Sequence, residues 1–257
     1  MKGVVANELA TLALAIQFLT RIPIPVGDAY TPARLTNAAR YYPLVGVLVG
    51  SVTALVYLLA ALALPHSVSI LLAVATGLLT TGAFHEDGLA DTFDGLGAAT
   101  PEQALDIMRD SRVGTYGALA LVMALAIKVT ILIELAPSLI VVTLIAAHGL
   151  SRLSAVLVIA SSVYVRENGT GKPTAAGIAP VSLIVASITG VVLAAWVAWH
   201  LGFSAAASML IFAAAGHGWM RSLFERRLGG YTGDTLGAVQ QTSELGAYLG
   251  ILLWHSS

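Results

Sequence analysis

Seven apolar runs, each close to the length that crosses a bilayer, constrain this 257-residue chain more than any other feature. They extend approximately from Pro43 to Leu64, Ser67 to Phe84, Thr115 to Ala136, Ser138 to Val163, Ala179 to His200, Phe203 to Met220 and Leu236 to Trp254. Lipid offers the backbone no hydrogen-bond partners, so runs of about 20 apolar residues are expected to be helices that satisfy their own amides. The expected fold is all-α: a polytopic membrane helix bundle of about seven transmembrane helices, forming a single domain over 1–257. Composition agrees, because only 11% of residues are charged against roughly 25% in a soluble domain. Lipid must therefore cover much of the surface.

The stretch from Val4 to Leu19 is also apolar, but Asn7, Glu8 and Gln17 interrupt it and no small-residue cleavage site follows. It reads as an N-terminal interfacial or re-entrant helix. The 13 basic and 14 acidic residues nearly cancel, so net charge says nothing about nucleic acid and the placement of each sign matters; no nucleic-acid partner is expected. With no cysteine there is no disulfide framework, thiolate zinc site or cysteine nucleophile, whereas a cation held by oxygen ligands is compatible with the composition.

The connections alternate in character. Those at Pro65–His66, Pro137 and Leu201–Gly202 are tight and carry no Lys or Arg, while 84–114, 164–178 and 221–235 are longer and charged. Every Lys and Arg except Lys128 and Arg152 lies in the first 42 residues or in these three segments. If seven spans alternate, all of this charge falls on one side, which the positive-inside rule makes cytoplasmic, in a cytoplasmic (inner) membrane. Most acids fall there too, among them Asp28, Glu86, Asp87, Asp91, Asp94, Glu102, Asp106, Asp110, Glu167, Glu225 and Asp234. Orientation alone does not require them. Arg166 and Lys172 have no role beyond orientation that the sequence can specify.

The segment His85-Glu-Asp-Gly-Leu-Ala-Asp-Thr-Phe-Asp-Gly95 places Asp87, Asp91 and Asp94 on one helical face with no basic residue between them. Their mutual repulsion calls for a cation, and an all-oxygen set suits Mg2+ or Mn2+. His85 points away from that stripe and Glu86 lies about 100° from it. Next, Arg109-Asp-Ser-Arg-Val-Gly114 gathers Arg109, Ser111 and Arg112 before the third span, where arginine forks and helix-start amides suit phosphate. A third polar strip, Arg226-Arg-Leu-Gly-Gly-Tyr-Thr-Gly-Asp234, precedes the last span, and its Asp234 is a helix cap or a further ligand. It is not a phosphate-binding P-loop, and no G-x-S-x-G nucleophile elbow occurs. Within the spans, Lys128, Glu134, His148 and Arg152 are costly enough to need partners, with His148 and Arg152 sharing a face.

Five segments together resemble the cobalamin synthase (adenosylcobinamide-GDP ribazoletransferase) family: Phe18-Leu-Thr-Arg-Ile-Pro-Ile-Pro25, Ala39-Arg-Tyr-Tyr-Pro-Leu-Val-Gly46, the His85–Gly95 segment, Ile107-Met-Arg-Asp-Ser-Arg-Val-Gly-Thr-Tyr-Gly117 and Gly229-Gly-Tyr-Thr-Gly-Asp-Thr-Leu-Gly-Ala238. Glu86 departs from the pattern, which has an apolar residue there. The resemblance implies a membrane enzyme that joins adenosylcobinamide-GDP to α-ribazole or its 5′-phosphate and releases GMP. It implies Mg2+ on Asp87, Asp91 and Asp94, with Arg109 and Arg112 completing the catalytic set. It places His85, Arg40, Ser111, Arg226, Arg227 and Asp234 against substrate, and leaves open a homo-oligomer or a complex with other cobalamin-assembly enzymes. Two other functions compete: a CDP-alcohol-type membrane phosphotransferase, whose longer paired-acid pattern is missing, and a divalent-cation transporter, which wants carboxylates near the midplane and inverted repeats.

Overall fold

The computed structural model describes residues 2–27, 30–166 and 177–257. Asp28, Glu167 and Lys172 lie outside the described residues. The architecture is all-α: α1 (Lys2–Leu19), α2 (Pro32–Ala38), α3 (Tyr42–Ala61), α4 (His66–Thr81), α5 (Phe84–Leu96), α6 (Pro101–Ile107), α7 (Thr115–Glu134), α8 (Pro137–Ser161), α9 (Pro180–Leu201), α10 (Phe203–Leu228) and α11 (Gly233–His255). A lone bridge between Tyr164 and Tyr231 is the one β-type pairing among the described residues.

Five helices are long and apolar enough to span: α3 with its α2 lead-in, α7, α8, α9 and α10. The bent pair α4 and α5 makes a sixth if it is counted as one span. The seventh expected run, α11, falls short on apolarity because it carries Gln240, Gln241 and Glu244. Its 23 residues are nevertheless about 34 Å long at ~1.5 Å per residue. It is buried along most of its length between α10, α5, α8 and α7. Protein surrounds it, so it tolerates groups that a lipid-facing helix would not. The apolar part of α1, Val5–Leu19, is too short to be a candidate span, and α1 packs on α2 and α3.

The charged segments meet at one end of the bundle. The Arg21 amide donates to the Thr80 carbonyl at 2.7 Å, the Val165 amide to the Tyr231 carbonyl at 3.0 Å, and Arg227 to the carbonyls of Leu96 and Ala98. At the other end Tyr57 pairs with His66 at 2.9 Å, and the Trp254 indole donates to Ser204 at 3.0 Å. Lys128, His148 and Arg152 are buried in the bundle, where a charge needs partners, whereas Glu134 is exposed at the far end of α7.

Candidate active site

The acidic helix owes its position to a sharp turn. At Gly82 (φ +67°) and Ala83 (φ +55°) the backbone enters the left-handed region, which glycine adopts freely and alanine at some cost. α5 consequently leaves α4 at 85°. The acidic stripe is thereby turned off the axis of the apolar α4.

α5 then crosses the start of α11 in backbone-to-backbone contact. A Cβ on Gly88 would stand 2.6 Å from the Asp234 carbonyl oxygen, and one on Gly237 would stand 2.9 Å from that of His85. Only glycine permits this approach, and the approach brings Asp234 up to the acidic stripe. Asp87 is exposed and Asp91 half-buried. Burial, then repulsion from Asp234 and Asp87, push the Asp91 carboxyl up to about 7, with Arg166 opposing. Burial also raises Asp234, against the pull of Arg166, whose Nη1 lies 2.7 Å away. The first turn of α11 is capped by Thr232 and Thr235 instead of Asp234, and the aspartate pairs with Arg166.

Asp94 departs from the expected ligand set. Its two carboxylate oxygens accept from the amides of Gly114 at 2.7 Å and Gly117 at 2.8 Å, tying α5 to the start of α7. The same bonds occupy helix-start amides that the sequence offered to phosphate. Asp87 and Asp91 remain from the stripe, and α11 adds Asp234. Among the described residues, no three His, Asp or Glu side chains converge closely enough to hold a metal ion outright. The donor chemistry fits a hard cation all the same: carboxylate oxygens gathered close enough that burial and then mutual repulsion raise the Asp91 carboxyl.

The basic residues divide differently from the sequence reading. Arg112 is exposed and paired with Asp110, its Nε at 3.0 Å, and this partner holds the Asp110 carboxyl down to about 2. Arg109 pairs with Asp106 at 3.2 Å, and its charge still reaches Tyr164 beside the acidic face. Ser111 is exposed in the same loop. Arg40 is taken by Glu8 of α1 at 3.3 Å. Arg227 caps the far end of α5, and Arg226 lies with it along a separate cavity. His85 is buried beneath the helix, lining an internal cavity with Arg152 and His148.

The cation that does stand at the acidic face is Arg166, which the sequence reading left as an orienting charge. Its Nε and Nη2 are buried and have no hydrogen-bond partner among the described residues. Its position in a polar connection carried no periodic signal, and only the bridge of Tyr164 to Tyr231 draws it toward Asp234.

Glu86, one residue from Asp87, is turned inward. Its Oε1 accepts from Gln241 Nε2 at 2.9 Å and lies 3.9 Å from Lys128 Nζ. Lys128 reaches Glu244 at 2.9 Å and Gln241 at 3.1 Å, and Glu244 also accepts from Gln240 at 2.6 Å and Tyr248 at 3.1 Å. This buried network joins α5, α7 and α11, and extends to His148 of α8, 3.4 Å from Glu244. Glu244 was missed because it sits in an apolar run; its helical spacing of four from Gln240 was the available signal.

Comparison with known proteins agrees with the segments that first suggested a family. The family model described as cobalamin-5-phosphate synthase matches residues 11–252. A protein of Shewanella woodyi named adenosylcobinamide-GDP ribazoletransferase is 45% identical over 97% of this chain and 98% of its own length. Proteins of the same name from Leptothrix cholodnii, 45% identical over 96% of both chains, and Vibrio cholerae, 42% identical over 98% of this chain and 97% of its own, are similar throughout. No solved structure matches. A family model and relatives that cover almost the whole membrane bundle, with its acidic helix and polar α11, establish that this chain is an enzyme belonging to the cobalamin-5-phosphate synthase family.

Proposed function

We propose that the enzyme joins adenosylcobinamide-GDP to α-ribazole, or to α-ribazole 5′-phosphate, and releases GMP at the face where Asp87 and Asp91 meet Asp234. The relatives' name supports the substrate pair. The observation that carries the location is the Gly88–Gly237 crossing, which sets these carboxylates beside an arginine with two unused buried donors. In the reaction a ribose hydroxyl oxygen attacks the phosphorus on the cobinamide side of the pyrophosphate. The bond to the GMP oxygen breaks, and the hydroxyl proton passes to a carboxylate of this face. Negative charge gathers on phosphoryl oxygens, so positive groups that await it lower the barrier. Arg166 supplies Nε and Nη2 to those oxygens, and Arg109 flanks the approach. Mg2+ would be held by Asp87 and Asp91 with Asp234, and would supply further charge neutralisation there.

The test is incubation of membranes containing the protein with adenosylcobinamide-GDP, α-ribazole and Mg2+. A cobalamin product with stoichiometric GMP is expected. Its absence with all components present overturns the substrate reading, and full turnover in excess chelator overturns the metal. The metal also has its own readout. Asp91 is about half protonated near pH 7, and a cation binds its charged form, so Mg2+ affinity should rise between roughly pH 6 and 8 with release of a proton. Affinity that stays flat over this range would remove Asp91 from the ligand set.

We further propose that this face is cytoplasmic, in the inner membrane, because the charged connections gather there. Reporters fused after Arg112 and Arg227 are expected to score cytoplasmic, and those near Pro65 and Pro137 external. One charged connection found outside sinks the arrangement.

A further inference from the structure

An apolar groove of about 380 Å³ runs beside α7, with Leu89 and Phe93 of α5, Leu245 of α11 and Trp219 of α10 in its lining. Along α7 its wall is Tyr116, Leu119, Met123 and Ile127, all exposed. Tyr116 to Ile127 spans about 16 Å at ~1.5 Å per residue, close to half of a hydrocarbon core about 30 Å thick. At Trp219 the groove meets a second cavity of about 540 Å³, lined by Leu96, Ser222, Leu223, Arg226 and Arg227. Both cavities open at the same end of α5. The ring of Tyr116 lies against Gly97, and Arg227 donates to the carbonyls of Leu96 and Ala98. No carboxylate pairs with Arg226 or Arg227 among the described residues, and Arg227 Nε is buried with no hydrogen-bond partner.

We propose that this groove binds an anionic glycerophospholipid, with one acyl chain along α7 and its phosphate headgroup on Arg226 and Arg227. The apolar part is as long as one leaflet is deep, its α7 wall is exposed, and the two cations stand where a headgroup would be. The nucleotide substrate fits less well, because none of Asp87, Asp91, Asp234 or Arg166 lines either cavity.

The chain has four tryptophans, so replacing Trp196, Trp199 and Trp254 by phenylalanine leaves Trp219 as the sole reporter. The protein is reconstituted in mixed phosphatidylcholine and phosphatidylglycerol vesicles in which one lipid at a time carries brominated chains. Brominated phosphatidylglycerol is expected to quench Trp219 with a preference of at least about five-fold over phosphatidylcholine, as one interfacial arginine provides. Arg226→Gln alone should weaken the preference, and adding Arg227→Gln should bring it to unity. Equal quenching by the two lipids overturns the proposal, as does a preference that survives both substitutions. Loss of the preference on adding excess GDP also overturns it, since the arginines would then belong to the nucleotide site.

Discussion

Glu244→Ala is expected to lower the unfolding free energy in detergent by about 3–5 kcal/mol, the usual cost of leaving a buried charge without its partner. The carboxylates beside Lys128 Nζ are Glu244 at 2.9 Å and Glu86 at 3.9 Å, with both carboxylates and the amine buried and the neutral Gln241 at 3.1 Å. Removing Glu244 also strips acceptors from Gln240 and Tyr248 and the nearby charge from His148. The pair Glu244→Gln with Lys128→Met takes away both charges while keeping length, and should recover part of the loss, because Lys128 is no longer left without its carboxylate while the buried charges of Glu86 and Arg152 remain. Thermal unfolding followed by size-exclusion profile reads both effects. A Glu244→Ala protein as stable as wild type would mean that the network contributes nothing. This substitution should also cost activity, because the network fixes α5 against α11 one residue before Asp87.

Asp91→Asn is expected to slow turnover by roughly 10²–10³-fold, the loss of about 2.7–4 kcal/mol that follows removal of a charge-stabilising contact at a reacting centre. The size of the side chain is kept, so insertion and unfolding temperature should change little. High Mg2+ should restore part of the rate if the lost oxygen was a ligand. Asp94→Asn should behave differently. Its carboxylate ties α7 through two amides, so its loss should appear mainly in stability, by about 0.5–2 kcal/mol, as for other helix caps. The two variants therefore separate an oxygen that acts on substrate from one that builds the scaffold. Equal rates for Asp91→Asn and wild type across the Mg2+ range would remove Asp91 from the mechanism.

Most helices were legible in the sequence because each is a one-dimensional signal. An apolar run of sufficient length must be helical in lipid, and α7, α8 and α9 begin or end within a residue or two of the runs that announced them. The acidic stripe was legible for the same reason, since spacings of four and three put Asp87, Asp91 and Asp94 on one face of any helix. α10 was less legible at its end: it runs on to Leu228 through Arg221, Glu225 and Arg226, a stretch whose charge reads as a loop. α11 reads from composition as one more span, yet its polar residues make it an interior helix screened by its neighbours.

Local pattern by itself determined that the chain is an all-α membrane bundle, where most of its helices lie, and that one short helix carries an acidic stripe. Its motifs also pointed to the family. Only the tertiary structure decided which acids work together. Periodicity cannot say that Asp94 spends its oxygens on two amides of α7, or that two glycines distant in sequence let α11 deliver Asp234 to Asp87 and Asp91. Nor can it say that Arg166 ends in that site while Arg112 pairs with its neighbour Asp110. The reason is physical: residue spacing fixes direction around one helix axis, whereas charge coupling and hydrogen bonding depend on distances between helices, and those are set by packing.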